Sequence, residues 1–450
     1  MNDTIAAIAT AYGEGGIGII RVSGPDAKAI LSEIFDGKIE NRRLSHGHIS
    51  DGEQIIDEVM AVYMKAPATY TSEDVVEINC HGSMVSLRKT LSLVLQKGAR
   101  MAEPGEFTKR AFLNGRLDLS QAEAVIDVVK AKSDKSFDVA MSQLEGSLSS
   151  EIAAIRKDIL DLLVDVTVNI DYPDEDIEQM TYEKMESCLC SIKEKIEKLL
   201  AGSRSGKMIR EGIRVAIVGK PNVGKSSLMN GLLRESRAIV TEIPGTTRDT
   251  IEEAVSIRNL PVYLIDTAGI RNTDDTVEKI GIEKSKEAFN SADFIIFIID
   301  GSSPLTEEDE EIISFMEGRN SLVLINKQDI GNVVNSRDLA DRLPNSDVIE
   351  TALIRGEGIS EIEDKIEELV YGGQLSQSES VMVNNVRHID LLEKAGQAID
   401  DAINMSEMHE ALDIIEIDIR NAFDNLGEII GETVSDEILT EVFSRFCLGK

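Results

Sequence analysis

One segment of this 450-residue chain restricts its fold more than any other: Gly219-Lys220-Pro221-Asn222-Val223-Gly224-Lys225-Ser226. It fits the pattern G-x-x-x-x-G-K-[ST]. The apolar run Ile213–Val218 precedes it, and a helix over 227–233 is expected to follow. A strand, a glycine-rich loop and a helix in that order aim backbone N–H groups and a helix N-terminus at one phosphate group. In this reading Lys225 reaches the β- and γ-phosphates of a nucleotide and Ser226 ligates Mg²⁺.

Further apolar runs at 262–265, 294–299 and 322–325 have the continuous character of buried parallel strands. Asp266-Thr267-Ala268-Gly269 closes the first of them. Asp266 suits a Mg²⁺ shell, and Gly269 lets the backbone approach a γ-phosphate. Asn326-Lys327-Gln328-Asp329 closes the run at 322–325. A carboxylate at Asp329 matches the N1–H and 2-amino group of guanine, a donor pair that adenine lacks. Thr351-Ala352-Leu353 follows Val348-Ile349 and stands where a backbone amide would receive the guanine O6. Each motif lies at the carboxyl end of an expected strand, where open α/β sheets bind ligands. Gly and Asp as plain turn residues would explain any one motif, but not four in order. Asn222, Val223, Gly224, Lys225, Ser226 and Ser227 therefore form the expected phosphate site. Between them and Asp266 lies Thr241-Glu242-Ile243-Pro244-Gly245-Thr246-Thr247. Thr247 there suits Mg²⁺ coordination, and the segment suits a switch that orders on GTP binding. The residue after Gly269 is Ile270. An aliphatic side chain cannot orient an attacking water, so another group must, and another cation must offset the developing charge.

The flanking regions read differently. Residues 1–118 mix strand-like runs at 17–22, 57–64 and 75–80 with a helix at 83–97, a small α+β domain. From Ser120 the texture is helical, and Ser120-Gln121-Ala122-Glu123 has the form of a capping box. Ile152, Ile155, Ile159, Leu162 and Val166 make one apolar stripe. Asp171-Tyr172-Pro173-Asp174-Glu175-Asp176 ends that helix. Met185, Cys188, Ile192, Ile196 and Leu199 mark a second helix from near Tyr182, and 201–206 reads as a Gly/Ser linker. Gly372-Gly373 and the Ser/Gln-rich stretch 375–380 read as another linker. Leu412, Ile415, Ile419, Ala422, Leu426 and Ile429 then form a further stripe. Two helical blocks around one α/β block suggest a domain inserted into a helical domain.

Composition limits the partners. The net charge is −34, with 13 Lys/Arg against 16 Asp/Glu in residues 1–118 and 34 against 65 in the rest. An anionic partner is expected to meet the N-terminal third, or to be held mainly by another protein. Four cysteines without metal-type spacing suit a reduced, cytoplasmic setting. No run reaches the ~18 apolar residues of a membrane span. With Asp3 and no basic start, the N-terminus does not read as a secretory signal.

The chain resembles the tRNA-modifying GTPase family MnmE, also called TrmE, over its whole length. The resemblance covers 3–10 and 16–24, Pro104-Gly105-Glu106-Phe107-Thr108, Ala111-Phe112-Leu113-Asn114-Gly115-Arg116, 171–176 and the terminal Phe446-Cys447-Leu448-Gly449-Lys450. It implies an N-terminal folate-binding and dimerisation domain (1–118), a helical domain (119–211 and 374–450) and a Ras-like P-loop G domain (212–373) inserted into it. It implies a homodimer that joins an FAD-dependent MnmG-type partner in a heterotetramer. Together they add an aminomethyl or carboxymethylaminomethyl group to the wobble uridine of certain tRNAs, using a one-carbon unit from a tetrahydrofolate derivative. It also implies K⁺-dependent pairing of G domains, with the ion standing where an arginine finger would. Asn222 and main-chain oxygens of Thr241, Ile243 and Thr246 would hold K⁺, and Glu278 would position the catalytic water. Arg21, Glu77, Arg116 and Lys450 match the family's folate contacts.

The residues alone leave bland alternatives open. Glu278 also reads as a solvated carboxylate at a helix start, and the folate set as surface charges. Cys447 reads as a buried C-terminal cysteine more readily than as a catalytic thiol. Arg116 stands where Lys is also common, and Thr351 where Ser is frequent. Gly13–Gly18 imitates a dinucleotide loop but precedes a strand, so that reading fails. Two rival functions share some of these features: a GTPase switch for ribosome assembly, and a folate enzyme carrying a regulatory G domain. The first usually has a basic RNA-binding domain, which this acidic chain lacks.

Overall fold

The structure, a computed structural model, describes residues 3–11, 13–171, 181–235, 237–238, 252–266, 292–316, 321–371 and 381–450. It divides into two compact units. The first comprises Met1–Val129, Met141–Ile192 and Lys394–Lys450, and the second Lys130–Ala140 and Lys193–Glu393. Among the described residues no helix is long and apolar enough to cross a membrane.

The first unit contains a six-stranded sheet of β1 (Ile5–Ile8), β2 (Gly15–Ser23), β3 (Ser45–Ser50), β4 (Ile55–Met64), β5 (Val75–Gly82) and β6 (Arg100–Met101), in the order β3-β4-β5-β2-β1-β6. All pairs are antiparallel except β1 with β6. The strand-like runs at 17–22, 57–64 and 75–80 lie within β2, β4 and β5. The helix expected at 83–97 is Met84–Gln96, where the Ser83 side chain accepts a hydrogen bond from the Val85 amide. Strand β4 alternates buried and less buried residues, as a sheet with one face on the core requires. Helices Ala27–Ile34 and Met84–Gln96 supply Ile30, Leu31, Leu87 and Leu91 to that core.

Helices Ser147–Asp171 and Leu412–Ile430 of the same unit pack together. All five stripe residues expected on the first are buried, and so are Ile415, Ile419, Ala422, Leu426 and Ile429 on the second. Arg156 crosses between them, its guanidinium 4.0 Å from the centre of the Phe423 ring and its Nε donating to the Phe423 carbonyl at 3.2 Å. The helix starting at Tyr182 departs from expectation by one position. Cys188 is only half-buried and Leu189 takes the core place, because a turn of 3.6 residues brings Leu189 onto the Met185 face. The capping box is also two residues earlier than expected. The helix runs Leu119–Lys130, so Ser120 lies inside it. The Gln121 amide donates to Asp118 Oδ1 at 2.9 Å, and the Asp118 amide donates to Gln121 Oε1 at 3.1 Å. Asp118 and Gln121 thus satisfy each other's free N–H groups, and the Ser120 hydroxyl donates to Asp118 at 2.9 Å.

The second unit holds a seven-stranded sheet: β7 (Ile213–Val218), β8 (Arg237–Ala238), β9 (Glu252–Ile257), β10 (Leu260–Asp266), β11 (Phe294–Asp300), β12 (Ser321–Asn326) and β13 (Ser346–Glu350). The order is β13-β12-β11-β7-β10-β9-β8. Strands β13 through β10 are mutually parallel, while β9 pairs antiparallel to β10 and to β8. The apolar runs are continuous because both faces of the sheet are covered. Phe294, Ile296 and Ile298 of β11 join one cluster with Val215, Ile217, Leu322 and Leu324. Ile295, Phe297 and Ile299 join the other with Ala216, Val218, Val323 and Ile325. Each such side chain contributes about 1.5–3 kcal/mol when fully buried.

The stretch expected as a Gly/Ser linker at 201–206 is instead helix, Ser203–Glu211. Tertiary packing overrides its weak propensity. Ile209 is fully buried in the first cluster, and the Ser205 hydroxyl donates to the Val370 carbonyl at 2.6 Å. Gly206 permits this approach, since a Cβ there would lie 2.4 Å from the Val383 carbonyl oxygen. The linker expected at 372–373 and 375–380 lies outside the described residues, as do 172–176 of the expected helix stop.

Candidate functional site

The carboxyl ends of the parallel strands bring three of the expected motifs together. β7 leads into the loop 219–224, and helix Lys225–Glu235 follows. Asn222 takes a left-handed conformation at φ 64°. Asn tolerates that region better than most side chains. The Lys225 ammonium folds back over the loop, donating to the Gly219 carbonyl and, at 2.9 Å, to the Lys220 carbonyl. Ser226 and Ser227 occupy the first turn of the helix, and the Ser227 amide donates to the Gly224 carbonyl at 3.0 Å.

Asn326, the last residue of β12, joins this loop to a third segment. Its Nδ2 donates to the Val223 carbonyl at 2.7 Å. Its Oδ1 receives the Leu353 amide at 3.0 Å and the Thr351 hydroxyl at 3.4 Å. A carboxamide carries its donor and its acceptor on two separate atoms, so one end serves the Val223 carbonyl while the other serves the 351–353 loop. Gly224 is required by the same contact, because a Cβ there would lie 2.2 Å from Asn326 Nδ2 and its φ is 119°. Thr351 is almost fully buried, and its carbonyl receives the Gln328 amide at 3.2 Å. Ala352 carries the turn Leu353–Arg355, with the Arg355 amide donating to its carbonyl at 2.8 Å.

Asp329 points one buried oxygen, Oδ1, at no hydrogen-bonding partner. Its Oδ2 stands 3.6 Å from Arg355 Nε. A buried carboxylate oxygen left unpaired is costly, and guanine N–H donors would satisfy it. Lys327, at φ 68°, sends its ammonium to Asp300 Oδ2 at 2.7 Å. Asp300 ends β11, and its Oδ1 receives the Ser302 amide at 3.0 Å and the Ser302 hydroxyl at 2.6 Å. Burial pushes the Asp300 carboxyl up, but the Lys327 and Ser302 hydrogen bonds outweigh it and hold it below the ordinary value. The sequence reading missed Asp300. The signal was present: a lone acid closing an apolar run, as Asp266 does.

Asp266 is the last residue of β10, aligned with Ile217 of β7. Thr241, Glu242, Ile243, Pro244, Gly245, Thr246, Thr247, Thr267, Ala268, Gly269 and Glu278 lie outside the described residues.

The first unit holds a second cluster. Arg21 and Glu77 are cross-strand partners of β2 and β5, with Arg21 Nε donating to Glu77 Oε1 at 2.9 Å. The Arg21 guanidinium lies 5.4 Å from the centre of the Tyr70 ring, and that of Arg116 lies 4.8 Å from it. Arg116 also donates to the Tyr70 carbonyl at 2.9 Å. Tyr70, absent from the sequence reading, is thus the shared platform of both arginines. A cleft of about 590 Å³ opens here, lined by Tyr70, Asn114, Gly115 and Arg116 among others. The C-terminus reaches the same sheet. Arg21 donates to the Gly449 carbonyl at 3.2 Å, which places the half-buried Lys450 beside the cluster. Cys447, expected to be buried, is exposed. The aromatic rings of Phe443 and Phe446 supply the hydrophobic anchor of this terminus instead.

Known proteins match this architecture along its full length. The profile of the TrmE N-terminus, described as a GTP-binding protein, matches residues 4–116, and that of the MnmE helical domain matches 119–447. The tRNA modification GTPase MnmE of Clostridioides difficile (strain 630) is 51% identical over 457 residues, covering 100% of both chains. The chain belongs to the MnmE family of tRNA modification GTPases. The namesake of Alkaliphilus oremlandii (strain OhILAs) is 50% identical over 459 residues, again covering 100% of both chains. That of Bacillus thuringiensis (strain Al Hakam) is 48% identical over 455 residues, covering 100% of this chain and 99% of its own. Among solved structures, the G domain of the T. maritima FeoB iron transporter aligns at 24% identity and a TM-score of 0.27, covering 35% of this chain and 98% of that one. For this MnmE-family chain, the cluster around Asn326 is the candidate nucleotide site and that around Tyr70 is a second candidate site.

Proposed function

We propose that the chain is a homodimeric, Mg²⁺- and K⁺-dependent GTPase of the cytoplasm. With an FAD-dependent MnmG-type partner, in a heterotetramer, it takes part in adding a (carboxymethyl)aminomethyl group to C5 of the wobble uridine of certain tRNAs. The one-carbon unit comes from a tetrahydrofolate derivative. In this reading residues 1–118 bind folate and dimerise, 119–211 and 374–450 form the helical domain, and 212–373 form the inserted G domain. The observation that carries the reading is the full-length identity to MnmE proteins, together with an Asn326 that ties the phosphate loop to the 351–353 loop.

In this account the loop amides and Lys225 hold the phosphates, while Asp329 selects guanine through its unpaired oxygen. Ser226 and Thr247 would hold Mg²⁺, and Asn222 with Thr241, Ile243 and Thr246 would hold K⁺. Asn222 is exposed in this loop, which leaves its carboxamide accessible to an ion. When bound, the two ions offset charge on the transferring phosphoryl group. Glu278 would orient the attacking water. Arg21, Arg116 and Lys450 supply cations for an acidic glutamate tail, and Glu77 a carboxylate for pterin N–H groups. The cleft of about 590 Å³ beside Tyr70 and Arg116 gives such a ligand room.

The test is reconstitution of the chain with an MnmG-type partner, FAD, GTP, a tetrahydrofolate one-carbon donor and tRNA lacking the modification. Mass spectrometry of the nucleosides reads the outcome. The expected result is C5-modified wobble uridine that requires both this chain and GTP. Modification at the same rate without this chain, or GTP turnover that leaves the tRNA unchanged, would refute the reading.

A further inference from the structure

A buried acid outside every recognised nucleotide motif holds the phosphate loop. Asp309 lies in the first turn of helix Glu307–Met316 and is 0% exposed. Its Oδ2 receives Lys220 Nζ at 2.8 Å, the Thr306 amide at 2.9 Å and the Thr306 hydroxyl at 2.7 Å. Its Oδ1 is buried without a hydrogen-bond partner. The contacts with Thr306 are those of a helix cap. A cap alone does not need a charge, and capping acids ordinarily sit in water. Here the charge is enclosed, and Lys220, the second residue of the phosphate loop, is the cation facing it.

Lys220 is central to the loop. Its carbonyl receives the Lys225 ammonium at 2.9 Å. The next residue is Pro221, whose ring fixes φ, and the one after is the left-handed Asn222. Anchoring the Lys220 side chain therefore fixes the outer arm of the loop from one end. The amides of Val223 and Gly224 follow on the other.

We propose that Asp309 and Lys220 are a positioning pair that sets the phosphate loop for GTP. The inference rests on the GTPase reading of this site. Lys220→Met removes the anchor and keeps the stem. Asp309→Asn keeps an acceptor for Thr306 and removes the charge. Each variant is expected to raise the KM for GTP about tenfold with kcat within about twofold, a split that loss of folded protein would not produce. The double variant is expected to be no worse than the poorer single one, because both changes break one contact. Lys220→Arg, which keeps a cation on a long stem, is expected to restore KM.

A simple through-space charge effect gives another pattern. Removing a cation would then raise KM and removing an acid would lower it. A lowered or unchanged KM in Asp309→Asn, or additive effects in the double variant, overturns the proposal. If the Asp309 variant does not fold, Lys220→Met is compared with wild type at one fixed KCl concentration, with and without added choline chloride, so that only the ionic strength changes. A deficit that persists supports positioning, and one that disappears with screening overturns it. The wild-type protein separates the two claims. If it fails to hydrolyse GTP, the functional reading falls. If it hydrolyses GTP and the variants match it, only the pair falls.

Discussion

Asn326 Nδ2 lies 2.7 Å from the carbonyl oxygen of Val223, and this contact ties the carboxyl end of β12 to the glycine-rich loop 219–224. The other end of the same carboxamide receives the Leu353 amide. Asn326→Ala would leave both backbone groups buried and unpaired, at about 1–3 kcal/mol each. GTP affinity is expected to fall about 100-fold, measured by fluorescence titration with a GTP analogue. An affinity within about twofold of wild type would mean that the bridge does not organise the site.

Asp329 should decide which base is accepted. Asp329→Asn replaces one acceptor with a donor, which matches the 2-carbonyl of xanthine and opposes the 2-amino group of guanine. GTP turnover at limiting substrate should drop about 100-fold or more, and XTP turnover should rise above that of GTP. Retained GTP preference in this variant would remove Asp329 from base recognition.

The arginine pair on Tyr70 is expected to hold a folate tail. Arg116→Ala removes one cation and its stacking on the ring. Calorimetric titration with a tetrahydrofolate derivative should show binding weakened about tenfold. Unchanged binding would place the folate elsewhere.

His81 gives a pH marker within the first unit. Its Nδ1 lies 2.6 Å from Asp57 Oδ1, and the Ser86 hydroxyl also donates to Asp57. The hydrogen bond to Asp57 raises the His81 pKa. Burial pushes Asp57 up, but the Ser86 and His81 hydrogen bonds hold it below its usual value. A raised histidine contributes its stability fully below its unfolded pKa of ~6.5 and loses it as pH rises through the folded value. The depressed Asp57 works in the opposite sense and loses its contribution in acid. NMR titration of the His81 ring is expected to show a midpoint above the ordinary histidine value, and Asp57→Asn to return it. An ordinary midpoint in wild type would contradict the assignment.

Much of this was legible in the chain itself. Residues 213–218, 294–299 and 322–325 had to be doubly covered strands, because alternation was absent and the runs were too short for helices. The placement of Asp266 and Asn326 at strand ends followed. What could not be read were contacts made by folding distant segments together. Nothing in local spacing links Asp309 to Lys220, or Tyr70 to Arg21 and Arg116. The helix Ser203–Glu211 was hidden for the same reason. Its Gly/Ser-rich start has poor intrinsic propensity, and only burial of Ile209 and close approach at Gly206 make it helical. The cap at Asp118 was misread because an S-x-x-E pattern stood two residues beyond a D-x-x-Q pattern of equal form.

Potassium dependence is the most exposed part of the account, since the chain has Ile270 where a water-orienting Gln would stand. The decisive measurement is steady-state GTP hydrolysis in KCl and in NaCl at equal ionic strength, with Asn222→Ala alongside. Strong stimulation by K⁺ that disappears in the variant is the expected result. Equal, slow turnover in both salts would contradict ion-driven catalysis by this GTPase and favour a switch that needs a separate activating partner.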